Sequence, residues 1–183
     1  MKIVTPRDFR DAYVAVMKAE NANFRAAVYF EEKSFTYFMR SEIFPKVAKY
    51  LGLLAWSKEY YTLDGIFFEE RETEHIRANA MYAKWVSVAI EHESDPRNTY
   101  KEMNKLQLFN TPLKVLITYA ADGAQTNSLL RNYERIMRSG DIFDDFASSR
   151  RQLVIVGTPK TMREWRFYVY ESDGFVYMLP FRG

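Results

Sequence analysis

Residues Lys84 to Asp95 read Lys-Trp-Val-Ser-Val-Ala-Ile-Glu-His-Glu-Ser-Asp, an apolar run that stops at two carboxylates with one residue between them. No other stretch constrains the fold as much. From Trp85 to Ile90 the β-branched and aromatic residues favour a pleated strand, whose side chains alternate faces, so Glu91 and Glu93 point one way and His92 the other. Anions at the end of an apolar strand belong at the open carboxyl edge of a sheet, where α/β folds collect ligands. Asp95-Pro96 then pairs a helix cap with a first-turn proline. Tyr100, Met103, Leu106 and Phe109 follow at helical spacing until Asn110-Thr111-Pro112 stops them. Leu113 to Tyr119 is a short apolar strand of the buried type. Strand, helix and strand with such short links predict a right-handed parallel crossover.

On the amino-terminal side, Thr5-Pro6-Arg7-Asp8 combines a cap, a first-turn proline and an acid, and starts a helix with Phe9, Tyr13, Val16 and Met17 as its apolar stripe. Phe24 to Phe30 fits neither a helical nor a strand period. Glu31 to Leu54 is helical, but Pro45 demands either two helices or one kinked helix, with Ser41 as a cap and Gly52 closing the unit. Glu59 to Glu69 is aromatic and β-branched and reads as a strand, with Asp64-Gly65 as an alternative hairpin turn. Glu69 to Ala80 is polar, a loop or short helix. On the carboxyl side, Asn127 to Ser139 is an amphipathic helix with Leu130, Tyr133 and Met137 on one face and Gly140 at its end. Gln152 to Gly157, Trp165 to Glu171 and Gly174 to Leu179 are strands, the last two a hairpin through Ser172-Asp173-Gly174.

This order predicts a single α/β domain over residues 1–183, with a mainly helical part at 1–55 and a sheet core with a carboxyl-terminal hairpin at 56–183. Composition agrees, because 48% hydrophobic and 16% aromatic residues in 183 suffice for one sizeable core. The chain has no cysteine, which excludes disulfides, thiolate catalysis and cysteine zinc sites, and only His75 and His92 are histidines, so carboxylates are left for metal work. No apolar run approaches a membrane span and Met1 to Arg10 lacks the core of a signal peptide, which predicts a cytoplasmic protein. With 26 basic and 24 acidic residues, any nucleic-acid surface must be a local patch.

The succession of acidic helix, strand bearing Asp, strand ending in Glu-x-Glu, helix, strand, helix and strand over Glu31 to Gly157 resembles the PD-(D/E)XK nuclease superfamily. Asp64 stands at the motif aspartate, with Leu63 in place of the preceding proline. Glu91 is the second acid, and Glu93 stands where most members have lysine. The resemblance implies a restriction-endonuclease-like mixed central sheet flanked by helices, with an amino-terminal helical segment. It also implies a nuclease that hydrolyses DNA with Mg2+ or Mn2+. Asp64, Glu91 and the backbone carbonyl of His92 would hold the metal, Glu93 would take a proton from the attacking water, and Lys105 would supply the missing cation. Glu42 would be an auxiliary acid.

Phosphodiester hydrolysis builds negative charge on the phosphoryl oxygens, which a carboxylate-held cation offsets, and magnesium needs few protein ligands because it keeps its waters. Arg131, Arg135 and Arg138, four and three residues apart on one helix, form a row that could follow phosphates. DNA is therefore the expected partner, a homodimer would cut both strands, and neither a membrane nor a nucleotide cofactor is expected. Two other readings stay open. One is a catalytically inactive nuclease-like module that binds nucleic acid or a protein partner, and the other is a small carboxylate-metal enzyme on a different α/β scaffold. The bland readings of single residues are a core role for His92, a helix-surface ion pair for Glu42, and a solvated helix side for the arginines.

Overall fold

The computed structural model describes residues 2–20, 32–56, 58–77, 80–141, 150–158, 164–172 and 174–179. The chain divides into two compact units, Met1–Ala89 with Thr111–Leu113, and Ile90–Asn110 with Lys114–Gly183. Both mix helices with strands, so the α/β class expected from the sequence holds. The Phe24 to Phe30 segment lies outside the described residues.

In the first unit, helix α1 (Pro6–Ala19) begins where the sequence places it. The Thr5 side chain accepts from the Asp8 N–H at 3.2 Å and the Asp8 carboxylate accepts from the Thr5 N–H at 3.0 Å, a reciprocal cap worth about 1 kcal/mol. Phe9, Tyr13, Val16 and Met17 are all buried. The helical stretch around Pro45 is neither broken nor capped at Ser41. Helix α2 (Glu32–Phe38) runs into a π-helical turn (Met39–Ile43) and on into helix α3 (Phe44–Tyr50). Ser41 lies inside the turn, and the Phe44 N–H reaches back to the Met39 carbonyl. A proline has no N–H to give the preceding turn, and widening that turn by one residue accommodates the loss without ending the helix. Gly52, at φ +66°, then closes the helix and lets the Leu53 N–H bond to Ala48 O at 2.8 Å.

Strand β1 (Leu54–Ala55) pairs antiparallel with β2 (Gly65–Phe68). The fully buried ring of Phe67 is the centre of this core. Phe9 of α1 stacks on it at 5.9 Å, and Phe44 of α3 meets it edge-on at 6.5 Å. The strand expected over Glu59 to Glu69 is shorter than that, and the turn falls before Asp64-Gly65, at Tyr60–Leu63, whose backbones bond to each other at 3.0 and 3.2 Å. The polar stretch after Glu69 corrects the sequence reading further. A single 3-10 turn (Glu70–Glu72) leads into β3 (Thr73–Arg77), which pairs antiparallel with β4 (Ala80–Ala83). The chain then enters β5 (Val88–His92), beginning beside β2, where the Ser87 N–H bonds to Phe67 O at 2.8 Å.

In the second unit the strand order is the end of β5, then β6 (Leu113–Tyr119), β7 (Arg151–Gly157), β8 (Trp165–Glu171) and β9 (Gly174–Met178). Glu93, just past β5, donates its N–H to Ile117 near the end of β6, and Ala120, just past β6, donates to Gly157 at the end of β7. The three strands therefore finish side by side, which is the parallel arrangement. β7–β8 and β8–β9 are antiparallel, and the second pair is the hairpin that the sequence predicts. Helix α4 (Thr99–Gln107) starts one turn later than Asp95-Pro96 suggests. The Asp95 carboxylate is taken up by Arg97, through its N–H at 2.9 Å and its guanidinium at 2.8 Å, and shapes a turn instead of capping the helix. Helix α5 (Gly123–Gly140) starts earlier than Asn127, because the Asp122 carboxylate caps it by accepting the Gln125 N–H at 2.8 Å. Tyr133 of α5 packs edge-on against Phe175 of β9 at 6.4 Å and donates its hydroxyl to Thr99 of α4 at 2.5 Å, joining both helices and the hairpin into one core.

Candidate active site

The strand bearing the two acids is β5, and its pleat separates the side chains as the sequence predicts. Glu91 is only 1% exposed. Its Oε1 lies 2.8 Å from the Lys105 ammonium of α4, which also reaches Glu102 Oε2, one turn back on the same helix, at 2.5 Å. Burial alone would lower the pKa of this amine, but hydrogen bonds to Glu102 and Glu91 outweigh it and hold it above the ordinary value, so Lys105 is charged. Met103 and Leu106 form the buried face of α4, and Lys105 stands on the flank of that face, from where its long side chain reaches the strand. Glu93, just past the strand, accepts the Asp95 N–H at 2.8 Å. Its charge also acts on Tyr133 of α5, whose pKa is raised first by burial and further by Glu93. Both acids thus face the α4–α5 pair.

His92 is on the other side. Its Nε2 is 2.9 Å from the Tyr119 hydroxyl of β6, whose ring meets Trp165 edge-on at 5.9 Å. Burial pushes the imidazole down to about 3, so it is neutral in this aromatic cluster. Gly157 leaves the two rings their space, since a Cβ there would come within 2.8 Å of both. The bland reading of His92, a core histidine, fits this environment.

Asp64 belongs to the first unit, one residue before β2. Arg40, carried by the π-helical turn, stands 3.8 Å from Asp64 and 3.7 Å from Glu59. Glu42, in the same turn, pairs with Lys46 at 3.3 Å along the helix surface, and Lys46 also reaches Glu20 at 3.0 Å. That is the ion-pair reading of Glu42. Arg131, Arg135 and Arg138 are all exposed on α5, and Arg138 hydrogen-bonds Tyr170 of β8.

Sequence reasoning missed Arg40 and Glu102. The signal for Glu102 was its spacing of three from Lys105, and the signal for Arg40 was its place just before the Pro45 irregularity. The oxygen donors on β5 suit magnesium, which one or two carboxylates hold together with waters and substrate oxygens. Among the described residues no cluster of three or more acids, histidines or cysteines could hold a metal alone. Among the same residues no helix is long and apolar enough to cross a membrane. The sequence matches no family model, and no curated protein matches it.

Proposed function

We propose that this chain is a magnesium-dependent nuclease of the PD-(D/E)XK type, cytoplasmic and acting on DNA, with the end of β5 as its catalytic edge. The observation that supports it most is the pairing of Glu91 with Lys105. The resemblance lacks a lysine two residues after the second acid, and here an ammonium from the next helix lies 2.8 Å from that acid. Glu91 and the carbonyl of His92 would hold the cation in the second unit. When bound, Mg2+ offsets charge on the phosphoryl oxygens and makes a bound water more acidic. Lys105, released from Glu91 as the carboxylate turns to other ligands, is close enough to pair with a phosphoryl oxygen in its place. Glu93 accepts the proton of the attacking water. Cutting both strands of a duplex calls for a second copy. Asp64, in the other unit, forms a separate arm of the test.

The test incubates pure protein with supercoiled and linear DNA in Mg2+, Mn2+ or chelator. Metal-dependent cleavage that falls about a hundredfold in Glu93→Gln and in Lys105→Gln supports the reading. Asp64→Asn should lower cleavage as well, if the first-unit acid serves the reaction. The inactive-module reading has one observation in its favour: Glu91 and Asp64 are each ion-paired with a cation of the protein itself, Lys105 and Arg40. Retained DNA binding with no cleavage under either metal would decide for it.

A further inference from the structure

On the second unit, α4 and α5 enclose an open groove of about 530 Å3, lined among others by Tyr100, Asn104, Gln107, Asn132, Arg135 and Ser139. That volume lies in the range of roughly 300–1,000 Å3 typical of ligand clefts. The floor is built. Gln107 donates to Met103 O at 2.8 Å and Gln152 Oε1 at 3.2 Å, and its Oε1 accepts from the fully buried ammonium of Lys114 at 3.2 Å. Its walls are open to a ligand. Among the described residues, the carboxamides of Asn104 and Asn132 make no side-chain hydrogen bond, and Tyr100 is half exposed with the Lys101 ammonium 5.8 Å from its ring centre.

Charge is sorted across the same pair of helices. Their two acids are turned away, Glu102 to Lys105 and Glu134 to the Phe175 N–H at 3.1 Å. Lys101, Arg131 and Arg135, by contrast, have no ion pair among the described residues, although Arg40, Lys46, Arg97 and Lys105 all do. A recess with free carboxamides, a tyrosine face and Arg135 in its wall, flanked on the same two helices by Arg131 and Lys101, is complementary to a planar heterocycle with donor and acceptor edges on an anionic backbone.

We infer that this groove binds a single-stranded nucleic-acid segment, one base stacking on Tyr100 and hydrogen-bonding to Asn104 and Asn132, with its phosphates on Arg135, Arg131 and Lys101. A duplex keeps its base faces stacked and so offers none of them to Tyr100. The inference takes its ligand class from the nuclease reading and its location from the groove alone.

The full-length protein is titrated in fluorescence anisotropy with a labelled single-stranded oligonucleotide of mixed sequence, in chelator. The same strand as a duplex, an abasic strand of equal length and a polyglutamate peptide compete. The base-bearing single strand should bind tightest. Asn104→Ala with Asn132→Ala, or Tyr100→Ala, should weaken it about tenfold while leaving the abasic strand unchanged. Arg135→Ala should weaken both and reduce the salt slope by about one. These positions are exposed, and matching thermal melts verify that the variants fold. Equal affinity for duplex, abasic strand or polyglutamate, or groove variants that bind as wild type does, would overturn the inference. Glu91→Gln keeps the two readings distinguishable: loss of cleavage with intact binding leaves the groove standing, and groove-dependent binding without any metal-dependent cleavage sinks the nuclease reading alone.

Discussion

His92 ties stability to acid conditions in a direction that can be worked out. Its pKa in the folded protein is about 3, pushed down by burial from an ordinary value of 6.5. As pH falls through the ordinary value the unfolded chain takes up a proton that the folded chain refuses. The stability contributed by the neutral imidazole is therefore complete above the unfolded pKa and is lost progressively as pH falls toward the folded one. The loss by about pH 4 is roughly 3 kcal/mol. His92→Gln retains a partner for the Tyr119 hydroxyl and removes the titration. Urea midpoints from neutral to acid pH should drop more steeply for wild type than for the variant, and parallel curves would contradict the burial of a neutral histidine. Lys105 poses the complementary case. Lys105→Met strands a buried Glu91 carboxylate and should cost about 3 kcal/mol, much of it recovered in the Glu91→Gln, Lys105→Met double variant. Additive effects in that cycle would mean the two groups do not stabilise each other.

At the scale of elements, the strained places are turns. Tyr61 and Thr62 hold positive φ, 48° and 72°, in the turn that leads to Asp64, although neither is glycine. Side chains at such angles cost about 1 kcal/mol or more, least for asparagine. Tyr61→Asn should raise the melting temperature and Tyr61→Val should lower it, and the opposite order would remove the left-handed turn. Gly174 enters β9 at φ +133° with the Glu134 carboxylate where a Cβ would be, at 2.6 Å, so Gly174→Ala should destabilise by about 1–3 kcal/mol in chemical denaturation. The same elements explain what could be read beforehand. β6 and the β8–β9 hairpin were legible because burial leaves a continuous or alternating apolar pattern, and α1 because its cap is local. The Tyr60–Leu63 turn was not, because Tyr61 and Thr62 are poor turn residues and the backbone bonds between Tyr60 and Leu63 that close it leave no mark in the sequence. β3 was hidden by its polar sequence Thr-Glu-His-Ile-Arg and β4 by its length of four residues, and the π turn showed only as Pro45.

For the molecule as a whole, the α/β character and the acids at the end of β5 were readable from pattern, as was a lysine one helix away. The grouping of the chain into two units was not, since it depends on which segments pack together over long separations. Nor was the α4–α5 groove, whose residues are spaced as an ordinary solvated helix face. A catalytic edge at the end of β5 is tested most directly by the conversion of supercoiled plasmid by purified protein in Mg2+. It predicts nicked and linear products in wild type that chelator abolishes, and a rate about a hundredfold lower in Glu93→Gln. Cleavage by Glu93→Gln at the wild-type rate, or intact plasmid in both metals with wild type, would contradict it.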